Sequence, residues 1–301
     1  MRRILIIRLG ALGDFVLSFA AFEAIRAHHG TDEITLLTTA PYAELARRSP
    51  WFDRVRIDRR PGWWNPLAVV RLARALRGFD FIYDLQTSGR SGWYFRLAGR
   101  PPWSGIATGC SHPHANPDRD AMHTLERQRE QLHQAGVRRF PPPDLSWLTR
   151  SDALGVPRPY ALLVPGAAAH RPDKRWPAER FGALAAILAR RGQRPVVLGQ
   201  ATETPLAAAI RAVCPEALDL TGCTGIPDIA ALASRAALAV GNDTGPMHLI
   251  AAVGCPSVVL FSSASDPALT APRGPAGRWP TVLRVPSLGD LPTDRVAAAL
   301  P

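Results

Sequence analysis

Short apolar runs alternate with longer stretches of helical periodicity from one end of the chain to the other. Residues 4–7 are wholly apolar, the pattern of a strand buried on both faces of a parallel sheet. Gly10-Ala11-Leu12-Gly13-Asp14 follows, and then a helix to about His28 that sets Phe15, Phe19 and Phe22 on one face. Further strands are predicted at 34–39 and 79–85, with helices near 41–48, 66–77 and 121–135. Four prolines and two histidines in residues 101–120 break the rhythm and predict a loop. A second break, from Pro141-Pro142-Pro143 to Pro159, reads as a linker between domains 1–150 and 151–301. The pattern then restarts: strand 160–164, a helix from Pro177, strand 195–198, a helix from Glu203, strand 237–240, a helix from Pro246, strand 258–261 and a closing helix at 294–300. Such alternation predicts an α/β protein of two Rossmann-like domains, with parallel sheets facing a central cleft. Ligands of such sheets sit at the carboxyl ends of the strands.

Composition narrows the class. The 301 residues are 47% hydrophobic and 20% charged, as in an ordinary soluble globular protein. Cys110, Cys214, Cys223 and Cys255 are scattered without C-x-x-C spacing, which predicts free thiols in a reducing compartment and neither disulfides nor zinc. Arg8 and Asp14 interrupt any signal-peptide core, and no 18-residue apolar run exists. A cytoplasmic protein is expected. The net charge of +11 divides into +8 over residues 1–150 and +3 over 151–301, so the first half suits an anionic partner. No nucleic-acid-binding module or basic helix with interleaved aromatics is present, so a nucleic-acid partner is not expected. The basic residues comprise 35 arginines and a single lysine, Lys174, which marks that position for something a planar guanidinium does not do.

Three strand-to-helix loops carry candidate chemistry. In Arg8-Leu9-Gly10-Ala11-Leu12-Gly13-Asp14 the glycines permit a tight turn and a close approach to a ligand, and Asp14 is either a helix cap or a carboxylate that takes a proton. The loop from Val164 to Pro177 has small residues at its start and ends in the cations Lys174 and Arg175, either solvated or facing a diphosphate. In Val240-Gly241-Asn242-Asp243-Thr244-Gly245-Pro246-Met247-His248 a helix start offers the amides of Thr244, Gly245, Met247 and His248 to an anion, beside Asp243.

Together these loops resemble glycosyltransferase family 9, the ADP-heptose:lipopolysaccharide heptosyltransferases. The resemblance rests on Gly10-x-x-Gly13-Asp14, on Pro165-Gly166 followed by Asp173-Lys174-Arg175-Trp176-Pro177, and on Gly241-Asn242-Asp243-Thr244-Gly245-Pro246-Met247-His248-Leu249. Asp84-Leu85-Gln86 and His123-x-x-Glu126-Arg127 are similar as well. It implies a GT-B fold and inverting, metal-independent transfer, with the acceptor on the N-terminal domain and the nucleotide-sugar donor on the C-terminal one. It implies Asp14 as general base and Lys174 as the group that stabilises the departing ADP. Asp243 would bind the heptose, and Thr244, Gly245 and His248 the diphosphate region. Glu203 would reach the ribose and Thr224 would line the adenine pocket. Where relatives carry hydroxyl residues before the lysine, this chain has Ala167-Ala168-Ala169-His170, leaving His170 as the side-chain donor there. Arg8, Gln86 and Arg90 are expected on the acceptor side, and residues 87–120 as acceptor loops. The resemblance also implies no cofactor and no metal, since the ADP-sugar is a substrate, together with an anionic lipid-linked glycan as acceptor and contact with the inner face of the inner membrane. The alternatives are a relative using another nucleotide sugar, or a protein or surface-glycan acceptor, and a non-catalytic nucleotide-sugar binding module.

Overall fold

The computed structural model describes residues 1–150, 153–168 and 170–301, so the expected domain start at Ser151, and Ala169 of the second loop, lie outside the described residues. The chain divides into two compact units, Met1–Asp144 and Leu145–Pro301, with the division six residues before the expected boundary at 150.

The first unit runs β1 (Arg3–Ile7), α1 (Leu12–Leu17), α2 (Phe19–His29), β2 (Glu33–Thr38), α3 (Ala40–Arg48), β3 (Arg54–Ile57), α4 (Pro66–Leu76), β4 (Phe81–Asp84), α5 (Gly89–Leu97), β5 (Trp103–Gly105), β6 (His112–Pro113) and α6 (Thr124–Gln134). Its six strands lie in the order β3-β2-β1-β4-β5-β6 and pair in parallel throughout. The order reverses between β1 and β4, so the loops leaving those two strands diverge to opposite faces and open a crevice at their carboxyl ends. Ile4, Leu5, Ile6 and Ile7 of β1 are fully buried, which explains a strand with no polar position in its middle.

The expected single helix over 14–28 is two helices. Ser18 breaks it: its amide donates to the Phe15 carbonyl at 3.1 Å and its hydroxyl to the Asp14 carbonyl at 2.8 Å, a local hydrogen bond that competes with the helical ladder. Phe15, Phe19 and Phe22 nevertheless share one buried cluster, with Trp51 5.0 Å from Phe19 and 5.7 Å from Phe22. Truncating such a core aromatic to alanine costs about 3–5 kcal/mol. The expected loop at 101–120 contains β5, β6 and a 3₁₀ turn at Arg119–Ala121. Its strands are only three and two residues long, and what fixes β5 is Trp103, fully buried edge-to-face on Phe95 at 5.4 Å. The expected acceptor loop 87–120 begins with a helix, α5, capped by Ser88, whose hydroxyl accepts the Ser91 amide.

The second unit runs β7 (Tyr160–Val164), α7 (Ala178–Arg190), β8 (Arg194–Val197), α8 (Thr204–Val213), β9 (Leu218–Asp219), α9 (Ile226–Ala233), β10 (Leu238–Asn242), α10 (Gly245–Ala252), β11 (Ser257–Phe261), α11 (Pro267–Thr270), β12 (Thr281–Arg284) and α12 (Thr293–Ala298). The sheet order is β12-β11-β10-β7-β8-β9, again all parallel, with its reversal between β7 and β10. Trp176, Phe181, Leu184 and Leu188 pack with Leu163, Val240 and Leu260 of the sheet into one core, and Val296 of α12 joins it. Trp176 Nε1 donates to the Leu291 carbonyl at 2.9 Å, which ties the C-terminal segment to the loop before α7. Among the described residues, no helix is long and apolar enough to cross a membrane.

Candidate active-site loops

In the first unit the crevice between β1 and β4 is organised by Arg8. Its side chain is almost fully buried, donating from Nη1 to the Leu85 carbonyl at 2.5 Å and from Nε to the Asp14 carbonyl at 3.2 Å. Its Nη2 lies 3.2 Å from Asp14 Oδ1. Asp14 sits in the first turn of α1, where a carboxylate also meets the positive end of the helix. Its Oδ2 accepts the Ala11 amide at 3.3 Å. With 44% of the side chain exposed against 6% for Arg8, Asp14 is reachable from solvent while its cation is not. Burial lowers the Arg8 pKa, and Arg127 adds to the lowering by like-charge repulsion, whereas Asp14 and Asp84 raise it.

Asp84 ends β4 fully buried. Its Oδ1 accepts the amides of Thr87 and Gln86 at 2.9 and 3.1 Å, which turns the chain out of the strand. Burial raises its pKa to about 6 in spite of those hydrogen bonds, of the Ser91 hydroxyl and of the Arg8 charge.

Gly10 and Gly13 each have a local structural reason. Gly10 has φ +113°, and the Tyr42 ring fills the space a Cβ would need, so the glycine answers to backbone conformation and to Tyr42. Gly13 is buried within α1. Gln86, expected toward an acceptor, uses Oε1 to accept the Leu9 amide at 2.8 Å and braces the first loop. Arg90 lies with Trp63, Gly89 and Trp93 around an open cavity of about 550 Å³, its guanidinium 4.9 Å from the Trp63 ring centre.

In the second unit the loops after β7, β8, β10 and β11 converge. Lys174 Nζ meets Asp243 Oδ2 at 2.5 Å, and both side chains are largely buried. Ser265, on the loop after β11, donates to the same oxygen at 2.7 Å. Asn242 carries the neighbouring brace, accepting the Trp176 amide at 3.1 Å and donating to the Pro165 carbonyl at 2.8 Å. The single lysine is thus fixed in place by two adjacent residues at the end of β10. Thr244 is the N-cap of α10 without a side-chain cap hydrogen bond, so its hydroxyl is not spent on the helix. The expected amide set is smaller by one: the Met247 N–H donates to the Thr244 carbonyl at 3.0 Å and closes the turn. His248 is buried, and His170 is exposed.

Glu203 accepts the Gln200 amide at 2.8 Å and lays its carboxylate over Gly166 and Gly199, where a Cβ on Gly166 would collide with it. Its carboxylate therefore reaches the start of the loop after β7, the same loop that carries Lys174 further along. Thr224 precedes α9, with its Oγ1 buried and lacking a hydrogen-bond partner among the described residues. Among the described residues, no group of three or more His, Cys, Asp or Glu side chains is arranged to hold a metal ion. The four cysteines are free thiols.

Ser265 was not among the residues the sequence pattern singled out. Ser262-Ser263-Ala264-Ser265 after an apolar strand is the same strand-to-polar-loop signal that marks the other three loops, and it would have flagged the position.

Two doubly wound units, each with polar loops gathered where its strand order reverses, define a two-domain α/β protein of the GT-B glycosyltransferase architecture. Comparison with known proteins agrees. Residues 69–287 match the model of glycosyltransferase family 9 (heptosyltransferase), and the chain belongs to that family. The lipooligosaccharide heptosyltransferase 2 of Haemophilus ducreyi is 23% identical over 299 residues, covering 90% of this chain and 86% of that protein. The corresponding protein of Haemophilus influenzae is 34% identical over 121 residues, 38% of this chain and 35% of that one, so the stronger identity spans about a third of the relative's length. The E. coli heptosyltransferase WaaC, solved with ADP, shares the fold with a TM-score of 0.80 at 21% identity, over 98% of each chain. The protein is a glycosyltransferase.

Proposed function

We propose that the chain transfers a heptose from ADP-heptose to a lipopolysaccharide core acceptor, with inversion and without a metal ion. The observation that carries the reading is the Lys174–Asp243 pair, held beside the start of α10 where the sheet order reverses. A nucleotide diphosphate at a helix start meets unpaired amides and the helix dipole, and Lys174 adds the compact cation that a leaving diphosphate requires. Thr244, Gly245 and His248 surround that position, Glu203 serves the ribose and the unsatisfied Thr224 hydroxyl the base. His170 completes the polar set before the lysine. With Oδ2 engaged by Lys174 and Ser265, Asp243 positions the lysine and keeps Oδ1 for a sugar hydroxyl.

In the first domain, Asp14 takes the proton of the acceptor hydroxyl. The oxygen bonds to the anomeric carbon, the bond from that carbon to the phosphate oxygen breaks, and the electron pair leaves with ADP. Arg8 fixes the Asp14 carboxylate, and Gln86 fixes the loop that carries it. Arg90 and the +8 balance of residues 1–150 suit an anionic lipid-linked glycan. Such an acceptor sets the reaction at the cytoplasmic face of the inner membrane.

Lys174→Ala is expected to lower turnover on the order of 10²–10³ at saturating ADP-heptose, with donor affinity less affected. Lys174→Arg is expected to be impaired as well, because a planar fork does not fit between Asp243 and a diphosphate. Steady-state kinetics of both variants test the reading. Wild-type turnover in Lys174→Arg would remove the assigned role.

A further inference from the structure

The segment joining β3 to β4 has one sign of charge and an apolar surface. Between Asp58 and Asp80 the chain carries Arg59, Arg60, Arg71, Arg74 and Arg77 and no acidic residue. The same segment exposes Trp64 by 87%, Leu67 by 73%, Trp63 by 47% and Val70 by 46%. On α4 the two sets separate by helical period. Leu72 and Leu76 are buried, while Leu67, Val70, Arg71 and Arg74 recur at three- and four-residue spacing on the opposite side. The apolar residues occupy the start of that outward stripe and the arginines its end. Arg59 stands on the far side of the Trp pair along the chain, and it too is exposed.

A surface that pairs two tryptophans with aliphatic side chains and rims them with arginine matches a bilayer interface in both of its chemistries. Indole rings settle at headgroup depth, aliphatic side chains reach the acyl boundary, and arginines extend to lipid phosphates. A protein partner of similar area would require no such one-signed rim, whereas an anionic bilayer supplies the complementary charge. The remaining arginines of the segment have other duties: Arg60 donates to the Leu9 carbonyl at 3.2 Å and Arg77 to the Leu97 carbonyl at 3.4 Å.

We propose that Trp63, Trp64, Leu67 and Val70, with Arg59, Arg71 and Arg74, form a docking surface for an anionic lipid bilayer. The surface is connected to the first candidate loop through Arg60, which grips the residue before Gly10. On the transferase reading, a docked enzyme therefore holds that loop next to the leaflet that carries a lipid-linked acceptor; the docking itself does not rest on that reading.

The test is co-sedimentation of the full chain with phosphatidylcholine vesicles, with and without about a third phosphatidylglycerol, and with no sugar substrate present. The chain is expected to bind the anionic vesicles, more weakly at high salt, and to bind the zwitterionic ones poorly. The double variant Trp64→Ser/Leu67→Asp should reduce binding about ten-fold with an unchanged melting temperature, because both side chains are already exposed. Arg71→Glu/Arg74→Glu should remove the preference for anionic lipid. Wild-type protein that stays in the supernatant, or variants that sediment like wild type, would overturn the proposal. So would a concentration-dependent dimer that the same substitutions abolish while vesicles are ignored, since the surface would then belong to a second copy. With no substrate in the assay, none of these results bears on the transfer reaction.

Discussion

Replacing Asp84 by asparagine should change how the stability of the first domain depends on pH. Asp84 is fully buried at the end of β4, and its pKa rises from the ordinary 3.8 to about 6 because burial disfavours the carboxylate. In the unfolded chain the same carboxyl loses its proton near pH 4. Between those values the folded state binds more protons than the unfolded one, so stability falls as pH rises. The contribution is intact below about pH 4, is lost progressively up to about pH 6, and is level above. A gap of roughly two pH units at 1.36 kcal/mol each gives a loss of about 3 kcal/mol. Asparagine keeps the shape, and its Oδ1 can still accept from Gln86 and Thr87, but it does not titrate. The new amide group carries its own burial cost, which is the same at every pH. The informative quantity is therefore the wild-type minus Asp84→Asn difference in unfolding free energy, measured by urea denaturation from about pH 3 to about pH 7. It should shift against the wild type by about 3 kcal/mol across that range. A difference that stays constant with pH would refute the burial argument, and with it an Asp84 that ionises near pH 6.

Asp14→Asn should leave donor affinity within a few-fold and reduce turnover by roughly 10²–10⁴, the range for a lost general base. The Asp14 side chain is 44% exposed, so the variant should fold, and near-normal turnover would remove Asp14 from the reaction. EDTA should leave turnover unchanged, because Lys174 and the amides at the start of α10 meet the diphosphate charge; a requirement for Mg²⁺ or Mn²⁺, restored on re-addition, would contradict this.

The central strands were legible because they are buried on both faces. Residues 4–7 and 160–164 leave no polar position to disguise them, and the structure places β1 and β7 there. The edge strands were not. β3 reads Arg54-Val55-Arg56-Ile57 and β12 Thr281-Val282-Leu283-Arg284, each half-exposed and ended or interleaved by arginine, so the apolar run that marks an inner strand is absent. α5 was hidden by Gly89, Ser91 and Gly92, which weaken a helical pattern that Ser88 and the buried Tyr94 and Phe95 restore. Of the site, the three strand-to-helix loops were visible as small and polar residues at strand ends. Their tertiary partners were not: Leu85 beneath Arg8, Tyr42 against Gly10, and Ser265 against Asp243 are separated by 77, 32 and 22 residues. No local pattern carries contacts of that range. The lone lysine was conspicuous by composition, but its fixation by Asp243 needed the fold.

The most direct test of the account is to incubate the protein with ADP-heptose and a heptose-less lipopolysaccharide core glycolipid, and to weigh the product. The account predicts a glycolipid heavier by one heptosyl residue, joined with the anomeric configuration opposite to that of the donor, and one ADP released for each residue added. An unchanged glycolipid beside intact ADP-heptose, or a product that retains the donor's configuration, would contradict it.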